Sequence, residues 1–348
     1  MDMPHATGDE QERLPVVDVG PLADQTGGQP EVAARLAHAC RRCGFFYVTG
    51  HGVDEGLQRR LEQLSRAFFA QEESAKLEIR LALGGRALRG YFPVGAELTS
   101  GRPDRKEGIY FGTELCPDDP RVLAGTPLHG SNLFPAGSPE LRDTVLAYMA
   151  AMTRLGHTLM AGIAQSLGLE ASYFADRYTA DPLTLFRIFN YPPDPSPAGQ
   201  EESWGVGEHT DYGLLTILKQ DDSGGLEVRS GGRWIAAPPV AGSFVCNIGD
   251  MLDRMTGGRY RSTPHRVRNQ ARHDRLSFPF FFDPSFDARV EPIPRDSSSP
   301  AGDGSGAPTV ADQRWDRASV HEFQGTYGDY VLGKVARVFP ELGIGATP

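Results

Sequence analysis

The first half of the chain combines helical spacing of apolar residues with two short β-rich runs. Apolar positions three and four residues apart predict helices over 30–43, 54–71 and about 138–168. The runs PVVDV at 15–19 and FFYVTG at 45–50 predict strands that flank the first helix. The N-terminal half is therefore expected to be mainly helical.

After residue 183 the pattern changes to short β-rich runs that alternate with Gly, Pro, Asp and Asn turns. Strands at such close spacing are typical of a sandwich or jelly roll. A last amphipathic stretch predicts a closing helix over 319–338. The predicted strands lie at 183–191, 212–219, 225–229, 233–237, 243–248, 264–269 and 275–282.

These elements predict a mixed α and β protein in which a helical part precedes a β core. The parts are expected to form one integrated domain, because neither layer can bury its apolar face alone. The segments are a disordered N-terminus at 1–13, a helix and strand region at 14–180, the β core at 181–292, a low-complexity flexible loop at 293–311, and a C-terminal helix and tail at 312–348.

Composition and charge narrow the class of protein. The chain has 348 residues and is long enough to bury a sizeable core. Its net charge of −10 argues against nucleic acid as a partner, because phosphate contacts need clustered Lys and Arg. No stretch approaches the roughly 20 apolar residues of a membrane span, and the N-terminus carries no apolar signal-peptide core. These features favour a cytoplasmic enzyme with no membrane partner that is a monomer or a weak homo-oligomer.

The four cysteines are expected to be reduced thiols rather than a metal site. Cys40 and Cys43 form a CxxC motif, whereas Cys116 and Cys246 stand alone. A single CxxC without a second cysteine pair is a weak zinc signal. The metal-binding chemistry of the chain is therefore sought elsewhere.

The stretch GVGEHTDYGLLTIL places His209 and Asp211 two residues apart at the head of an apolar run. In a strand, residues i and i+2 point to the same face, so both side chains are expected to aim at one spot. Two protein ligands hold a catalytic metal poorly, and His265 in GRYRSTPHRVRN is the best candidate for a third. Two His and one carboxylate that leave coordination positions open form the facial arrangement of non-haem Fe(II) oxygenases.

A second signal follows in the run HRVRN-QARHD-RLSFPFFF, which predicts a hairpin with the polar QARHD as its turn. Arg275 and Ser277 share one face of the second strand, and apolar residues occupy the other face. A buried guanidinium needs a partner, and its fork of donors beside a hydroxyl matches a carboxylate. The interior is therefore expected to receive an acidic small molecule.

Four stretches carry a resemblance to a known family: ACRRCGFFYVTGHGV (39–53), HTDYGLLTIL (209–218), NIGDMLDRMTGGRYRSTPHRV (247–267) and RLSFPFFFDP (275–284). With them the chain resembles the Fe(II)/2-oxoglutarate-dependent dioxygenases of the isopenicillin N synthase-like family. The resemblance implies a distorted double-stranded β-helix, or jelly-roll, core with N-terminal helices and a C-terminal helix packed on it. It also implies an enzyme that uses Fe(2+), O2 and 2-oxoglutarate as cosubstrate to oxidise a small molecule, most often by hydroxylation, with release of succinate and CO2.

Carried over position by position, the resemblance assigns roles to two sets of residues. His209, Asp211 and His265 match the iron ligands of the family, and no catalytic residue is expected beyond them. Arg275 and Ser277 match the partners of the distal carboxylate of 2-oxoglutarate.

The remaining assignments rest on less specific stretches. Tyr191 in RIFNYPP matches a tyrosine that often contacts the cosubstrate, but Phe189 stands where plant members of the family usually carry an Asn. Arg89 and Tyr91 in LRGYFP lie in a segment that faces the iron in this family, so they are expected substrate contacts. Charged residues further on are expected either near the substrate or in a structural ion-pair set: Glu97, Lys106 and Glu107.

Several other functions use the same residues. An oxidase of the isopenicillin N synthase type would work without 2-oxoglutarate, and an ethylene- and succinate-forming enzyme would break down 2-oxoglutarate itself. The C-terminus FPELGIGATP lacks the glutamine-containing tail of the first type. A non-catalytic binding module would not need an intact ligand set, and a hydrolytic zinc site would give Arg275 and Ser277 no evident role.

Overall fold

The fold is described from a computed structural model, which covers residues 13–24, 27–99, 101–193, 204–268, 272–294 and 320–338. The disordered N-terminus predicted at 1–13 lies outside these ranges except for its last residue. The flexible loop predicted at 293–311 lies outside them except for its first two residues. The predicted segment boundaries stay predictions.

The helices of the described residues follow the apolar spacing of the sequence. They are α1 (Gly20–Asp24), α2 (Gln29–Arg42), α3 (Glu55–Phe69), α4 (Glu73–Lys76), α5 (Pro120–Leu123), α6 (Pro139–Ser166), α7 (Tyr173–Arg177), α8 (Asp250–Thr256) and α9 (Tyr327–Val338). Asp54 caps α3, since its side chain accepts the backbone N–H of Leu57 at 2.6 Å. The closing helix α9 begins later than predicted, because a 3-10 turn at Val320–Glu322 precedes it.

The strands build two main sheets and one small hairpin. They are β1 (Val16–Asp18), β2 (Phe45–Thr49), β3 (Gly90–Phe92), β4 (Leu98–Thr99), β5 (Arg102–Pro103), β6 (Glu107–Gly112), β7 (Leu183–Tyr191), β8 (Val206–His209), β9 (Leu215–Gln220), β10 (Leu226–Ser230), β11 (Arg233–Ala236), β12 (Phe244–Ile248), β13 (His265–Val267) and β14 (Arg275–Asp283). Each strand predicted after residue 183 corresponds to one of these. The strand β8 was not predicted, because its sequence VGEH carries little apolar signal.

The large sheet has the order β1-β2-β12-β9-β14-β7-β6-β3, and the smaller sheet has the order β11-β10-β13-β8. All neighbours in both sheets are antiparallel except β1 and β2, which run parallel. Both sheets contribute walls to one central cavity. The predicted mixed α and β fold with a jelly-roll core is confirmed.

The hairpin predicted from HRVRN-QARHD-RLSFPFFF is wrong. β13 pairs with β8 and β10 in the smaller sheet, whereas β14 pairs with β7 and β9 in the large sheet. Strands that follow each other along the chain cross from one sheet to the other in jelly-roll folds, and apolar alternation carries no information about which sheet a strand joins. The crossing matters for function, because it places His265 and Arg275 on opposite walls of the same cavity.

The long helix α6 packs behind the large sheet at a point of close approach. The side chains of Phe278, Phe280 and Phe282 point away from the cavity and are fully buried. Gly156 faces Phe282, and a Cβ atom at Gly156 would lie 2.4 Å from the phenyl ring. A glycine in mid-helix costs about 1 kcal/mol relative to alanine, and here it lets α6 support β14 directly. No helix within the described ranges has both the length and the hydropathy that crossing a membrane requires.

Candidate metal centre and its cavity

His209, Asp211 and His265 come together in the wall of the cavity. Their ligand atoms all lie within 4.8 Å of one another, and no other such group of three was found among the described residues. Asp211 Oδ1 lies 3.9 Å from His209 Nε2 and 3.7 Å from His265 Nε2. This spacing lets one ion contact all three atoms and leaves its remaining coordination positions toward the cavity, as a facial Fe(II) site requires.

The local structure that positions the three ligands differs from the one predicted. His209 is the last residue of β8 and pairs with His265, the first residue of β13. Asp211 lies beyond the end of β8, in the turn that leads to β9 (Leu215–Gln220), so strand alternation does not place it. The two histidines are held by the smaller sheet, and Asp211 needs another support.

That support comes from two residues of the large sheet. Thr216 on β9 donates its hydroxyl hydrogen to Asp211 Oδ2 at 2.5 Å, and Asn247 on β12 donates from Nδ2 to the same oxygen at 2.7 Å. Both bonds orient the carboxylate so that Oδ1 faces the histidines. Outer hydrogen bonds of this kind fix the geometry of metal ligands and tune their affinity.

The ring nitrogens of the two histidines are assigned by their neighbours. Nδ1 of His209 lies 2.8 Å from the carbonyl oxygen of Gly207, and Nδ1 of His265 lies 3.2 Å from that of Thr263. A carbonyl oxygen only accepts, so Nδ1 carries the hydrogen in both rings and Nε2 keeps its lone pair for the metal.

The electrostatics keep the ligands in their metal-binding protonation states. Burial lowers the pKa of His209, and burial together with the charge of His209 lowers the pKa of His265 to about 4. Burial alone would raise the pKa of Asp211, but the two histidines and the hydrogen bonds from Asn247 and Thr216 outweigh it and lower that pKa. Neutral imidazoles and an ionised carboxylate are what Fe(II) binding requires.

The cavity beside the triad measures about 280 Å³ and is walled largely by one face of the large sheet. Alternate residues of two neighbouring strands form this face, as the period of a strand demands. From β7 they are Leu185, Arg187, Phe189 and Tyr191, and from β14 they are Arg275, Ser277, Pro279, Phe281 and Asp283. Helix α9 adds Val331, Lys334 and Val335 from the other side.

Arg275 and Ser277 lie together on the cavity face of β14, as expected, and Tyr191 faces them from β7. Arg275 is buried, and its Nε donates to the carbonyl oxygen of Gly224. Its Nη1 and Nη2 are buried without a hydrogen-bond partner among the described residues. Ser277 Oγ lies 3.4 Å from Tyr191 Oη, and the Tyr191 ring centroid lies 4.7 Å from the guanidinium carbon. Two unpaired parallel donors beside two hydroxyls make a receptor for a carboxylate.

The two residues expected to contact the substrate, Arg89 and Tyr91, differ in their position relative to the cavity. Arg89 is buried and borders the cavity, but its guanidinium donates to the backbone carbonyl oxygens of Ala87 and Leu128, both at 2.8 Å. Tyr91 is buried outside the cavity lining, and its hydroxyl donates to Glu107 Oε2 at 2.6 Å. The substrate contact expected of Tyr91 therefore has no geometric support, and Arg89 mainly ties loop backbone together.

Several cavity residues were not predicted from the sequence, among them Thr216, Asn247 and Arg187. Arg187 lies in the middle of β7 and points into the cavity. The available signal was a single charged residue inside the otherwise apolar run LTLFRIFNY. Glu97 and Lys106 also line the cavity and form an ion pair at 2.9 Å.

Comparisons with known proteins agree with this geometry. Residues 14–137 match the family model described as non-haem dioxygenase in morphine synthesis N-terminal, and residues 180–284 match the model of the 2OG-Fe(II) oxygenase superfamily. A probable iron/ascorbate oxidoreductase of Dictyostelium discoideum is 49% identical over 354 residues, which cover 95% of this chain and 96% of the relative. A homoarginine-6-hydroxylase of Glycine max is 37% identical over 344 residues, which cover 94% and 98%.

Solved structures show the same architecture. The crystal structure of full-length Neurospora crassa T7H in complex with alpha-KG and thymine matches with a TM-score of 0.77 and 25% identity, and covers 95% of this chain and 98% of that one. A rice dioxygenase for auxin oxidation matches with a TM-score of 0.64 and 32% identity, and covers 81% and 86%.

The jelly-roll core and the buried His-Asp-His group define a non-haem iron oxygenase. The chain belongs to the 2OG-Fe(II) oxygenase superfamily, and it is an oxidoreductase that depends on iron and 2-oxoglutarate. The family predicted from the sequence motifs is confirmed. The cytoplasmic location and the monomeric or weakly oligomeric state stay predictions.

Proposed function

We propose that this protein hydroxylates a small-molecule substrate while 2-oxoglutarate is converted to succinate and CO2. The observation that carries the proposal is the receptor formed by Arg275 and Ser277 in the cavity that also holds the metal ligands. An unpaired buried guanidinium is costly, so Nη1 and Nη2 of Arg275 need an acidic guest.

The residues present fit both groups that the reaction needs. His209, Asp211 and His265 offer two nitrogens and one carboxylate oxygen to Fe(II), which is the donor set of non-haem iron oxygenases. Arg275 and Ser277 would hold the distal carboxylate of 2-oxoglutarate. When bound, the iron and the cosubstrate supply the oxidising chemistry with O2.

The chain itself supplies orientation and a dry environment. The hydrogen bond from Arg275 Nε to Gly224 fixes the plane of the guanidinium, so a carboxylate on Nη1 and Nη2 meets donors that are already oriented. Tyr191 stacks on the same group and contributes its hydroxyl beside Ser277. Phe189 and Phe281 add apolar surface that keeps water away from the reacting centre.

The size of the cavity restricts the substrate. Ligand pockets commonly range from roughly 300 to 1,000 Å³, and this cavity of about 280 Å³ lies just below that range. The same space must hold 2-oxoglutarate as well, so the proposed substrate is a compact molecule rather than a polymer.

The test is an anaerobic titration of the metal-free protein, first with Fe(II) and then with 2-oxoglutarate. We expect the weak visible charge-transfer band of the chelate in the wild type and a much weaker affinity for 2-oxoglutarate in Arg275→Gln. Arg275→Lys keeps the charge but loses the fork, so it should recover only part of the affinity. Bound iron without a band in the wild type would refute the use of 2-oxoglutarate.

An oxidase that works without 2-oxoglutarate is the second candidate, because the unpaired Nη1 and Nη2 of Arg275 fit any small acidic ligand. In such an enzyme Arg275 and Ser277 would bind the acidic group of the substrate itself. O2-dependent succinate release separates the two functions, since only the 2-oxoglutarate-dependent reaction produces it.

A further inference from the structure

Arg187 forms a second cationic site in the cavity, away from Arg275. Tyr191, which stacks on Arg275, lies four residues from Arg187 on the same strand β7 and on the same face. At about 3.3 Å per residue the two positions are about 13 Å apart. The charge of Asp211 acts on Arg187, so the second site is also within electrostatic reach of the metal centre.

The guanidinium of Arg187 lies between two aromatic rings. Its central carbon is 4.1 Å from the centroid of Tyr110 and 4.9 Å from the centroid of Phe281. Among the described residues it donates no hydrogen bond; its ion pair with Glu97 is long, with Nη1 3.6 Å from Oε1, and 18% of its side chain is exposed. Stacking satisfies the faces of the guanidinium but leaves its N–H edge without acceptors.

Glu97 has closer partners than Arg187. Tyr110 donates its hydroxyl hydrogen to Glu97 Oε1 at 2.6 Å, and Lys106 Nζ lies 2.9 Å from Oε2. Lys106 is in turn hydrogen-bonded to Asp104. The charge of Arg187 acts on Glu97, but this long pair leaves most of its five donors without a protein acceptor among the described residues.

The surroundings of Arg187 suit the rest of an organic acid. Apolar residues line the same cavity: Leu98, Leu185, Val331 and Val335. Lys334 on α9 is a buried cation that also lines the cavity. Asp283 also lines the cavity: Tyr327 donates to its Oδ2 at 2.6 Å, and its Oδ1 has no hydrogen-bond partner among the described residues.

We propose that Arg187 binds a carboxylate of the substrate that is oxidised, so the substrate is a small carboxylic acid with an apolar body. Arg275 would then hold the acid group of the cosubstrate and Arg187 that of the substrate, on one sheet face. The inference rests on the proposed function, because it assumes that 2-oxoglutarate occupies the Arg275 site.

The test uses the protein loaded anaerobically with Fe(II) and 2-oxoglutarate, and matched acid and amide probes. The pairs are phenylacetate with phenylacetamide, hexanoate with hexanamide, and benzoate with benzamide. Binding is measured by isothermal titration while the chelate band is recorded. The band distinguishes the sites, since a probe that displaces 2-oxoglutarate from Arg275 abolishes the band and a probe at Arg187 leaves it present.

In the wild type we expect at least one acid to bind about tenfold or more tightly than its amide, with the band retained. Arg187→Met keeps much of the stacked apolar bulk and should remove this preference, whereas Arg187→Lys should keep part of it. Both variants should bind 2-oxoglutarate as the wild type does, which shows that they are folded. Arg60→Gln, on the exposed face of α3, is the matched control and should behave as the wild type.

Two results overturn the inference. One is a wild type that binds no probe acid more tightly than its amide while the band is present. The other is an acid preference that survives in Arg187→Met. A wild type that binds iron but shows no band refutes the proposed function instead, so the two failures are distinguishable.

Discussion

The two ends of the cavity each carry an arginine, and the two are held in different ways: Arg275 is buried, whereas 18% of the Arg187 side chain is exposed. Arg275 is fixed by a hydrogen bond from Nε to the carbonyl oxygen of Gly224, which leaves one edge of its guanidinium for a ligand. Arg187 donates no hydrogen bond within the described residues and is held by the rings of Tyr110 and Phe281. A directed bond fixes the orientation of the donors, whereas stacking fixes only the plane.

This difference matches two different demands. A cosubstrate that is the same in every turnover is served by a receptor with a fixed orientation. On our proposal the substrate meets Arg187, which is held by stacking and can turn within its plane to adapt to the ligand. One face of the large sheet therefore carries one arginine whose donors have a fixed orientation and one whose donors can turn.

The largest effect on activity is expected from loss of a metal ligand, because ligands at both ends of the cavity react at the metal centre. His209→Ala removes one of the three ligands, so iron binding should fail and O2-dependent succinate release should fall to background. Activity is measured as succinate release with iron content determined in parallel. His273→Ala is the control, because His273 is an exposed loop histidine that contacts Ser223 and should leave both readouts unchanged. Normal succinate release by His209→Ala would show that the ligand assignment is wrong.

The next effect is expected at the cosubstrate end alone. Arg275→Gln removes the charged fork of a buried carboxylate receptor, a loss of about 2–5 kcal/mol in comparable pairs. This predicts a rise in the KM for 2-oxoglutarate of roughly 30-fold or more, while iron affinity without 2-oxoglutarate stays unchanged. Arg272→Gln, at an exposed position before β14, is the matched control. An unchanged KM in Arg275→Gln would remove the basis for the comparison of the two arginines.

The grouping of His209, Asp211 and His265 and the shared face of Arg275 and Ser277 could be predicted from the sequence, because both depend on residue type and short spacing. His209, Asp211 and Arg275 stand in motifs whose side chains have few other reasons to occur together. The sheet that each strand joins could not be predicted, since alternation gives the same pattern for a hairpin and for a crossing between sheets. That is why β13 and β14 were assigned to one hairpin.

Arg187 was missed for a different physical reason. The sequence shows a charged residue within an apolar strand, but the function of that residue depends on which acceptors surround it in the fold. The residues around it lie far away in the sequence: Glu97, Lys106 and Tyr110. Only the fold shows that Glu97 accepts from Tyr110 and pairs with Lys106, and that it lies too far from Arg187 for a hydrogen bond. Sequence spacing carries no such accounting of donors and acceptors.

A third effect is expected at the substrate end, in the pH dependence of stability. Burial raises the pKa of Asp283 from 3.8 to about 7, despite the hydrogen bond that it accepts from Tyr327. The folded state therefore holds a proton that the unfolded state has released between about pH 4 and pH 7, so stability falls as the pH rises through this window and levels off above it. The side chain of the Asp283→Asn variant does not titrate. Between pH 4 and pH 8 its free energy of unfolding should therefore rise, relative to that of the wild type, by on the order of 3 kcal/mol. Urea unfolding of both metal-free proteins at pH 4, 6 and 8 measures the difference, and a constant difference across these values would contradict the assignment.

The smallest effect is expected behind the metal ligands and sharpens the contrast between the two ends. Asn247→Ala removes one of two hydrogen bonds that orient the Asp211 carboxylate, and losses of this kind cost about 10–100-fold in metal affinity. Thr216→Val removes the other bond and should act in the same direction, with a larger loss in the double variant. Anaerobic Fe(II) titration measures each loss. If directed bonds hold the Asp211 carboxylate as described, these variants will lose iron affinity. At saturating iron they will still bind acids more tightly than amides at Arg187. A variant that loses the preference for acids but keeps its iron affinity would mean that the Arg187 site and the metal centre are coupled through Asp211.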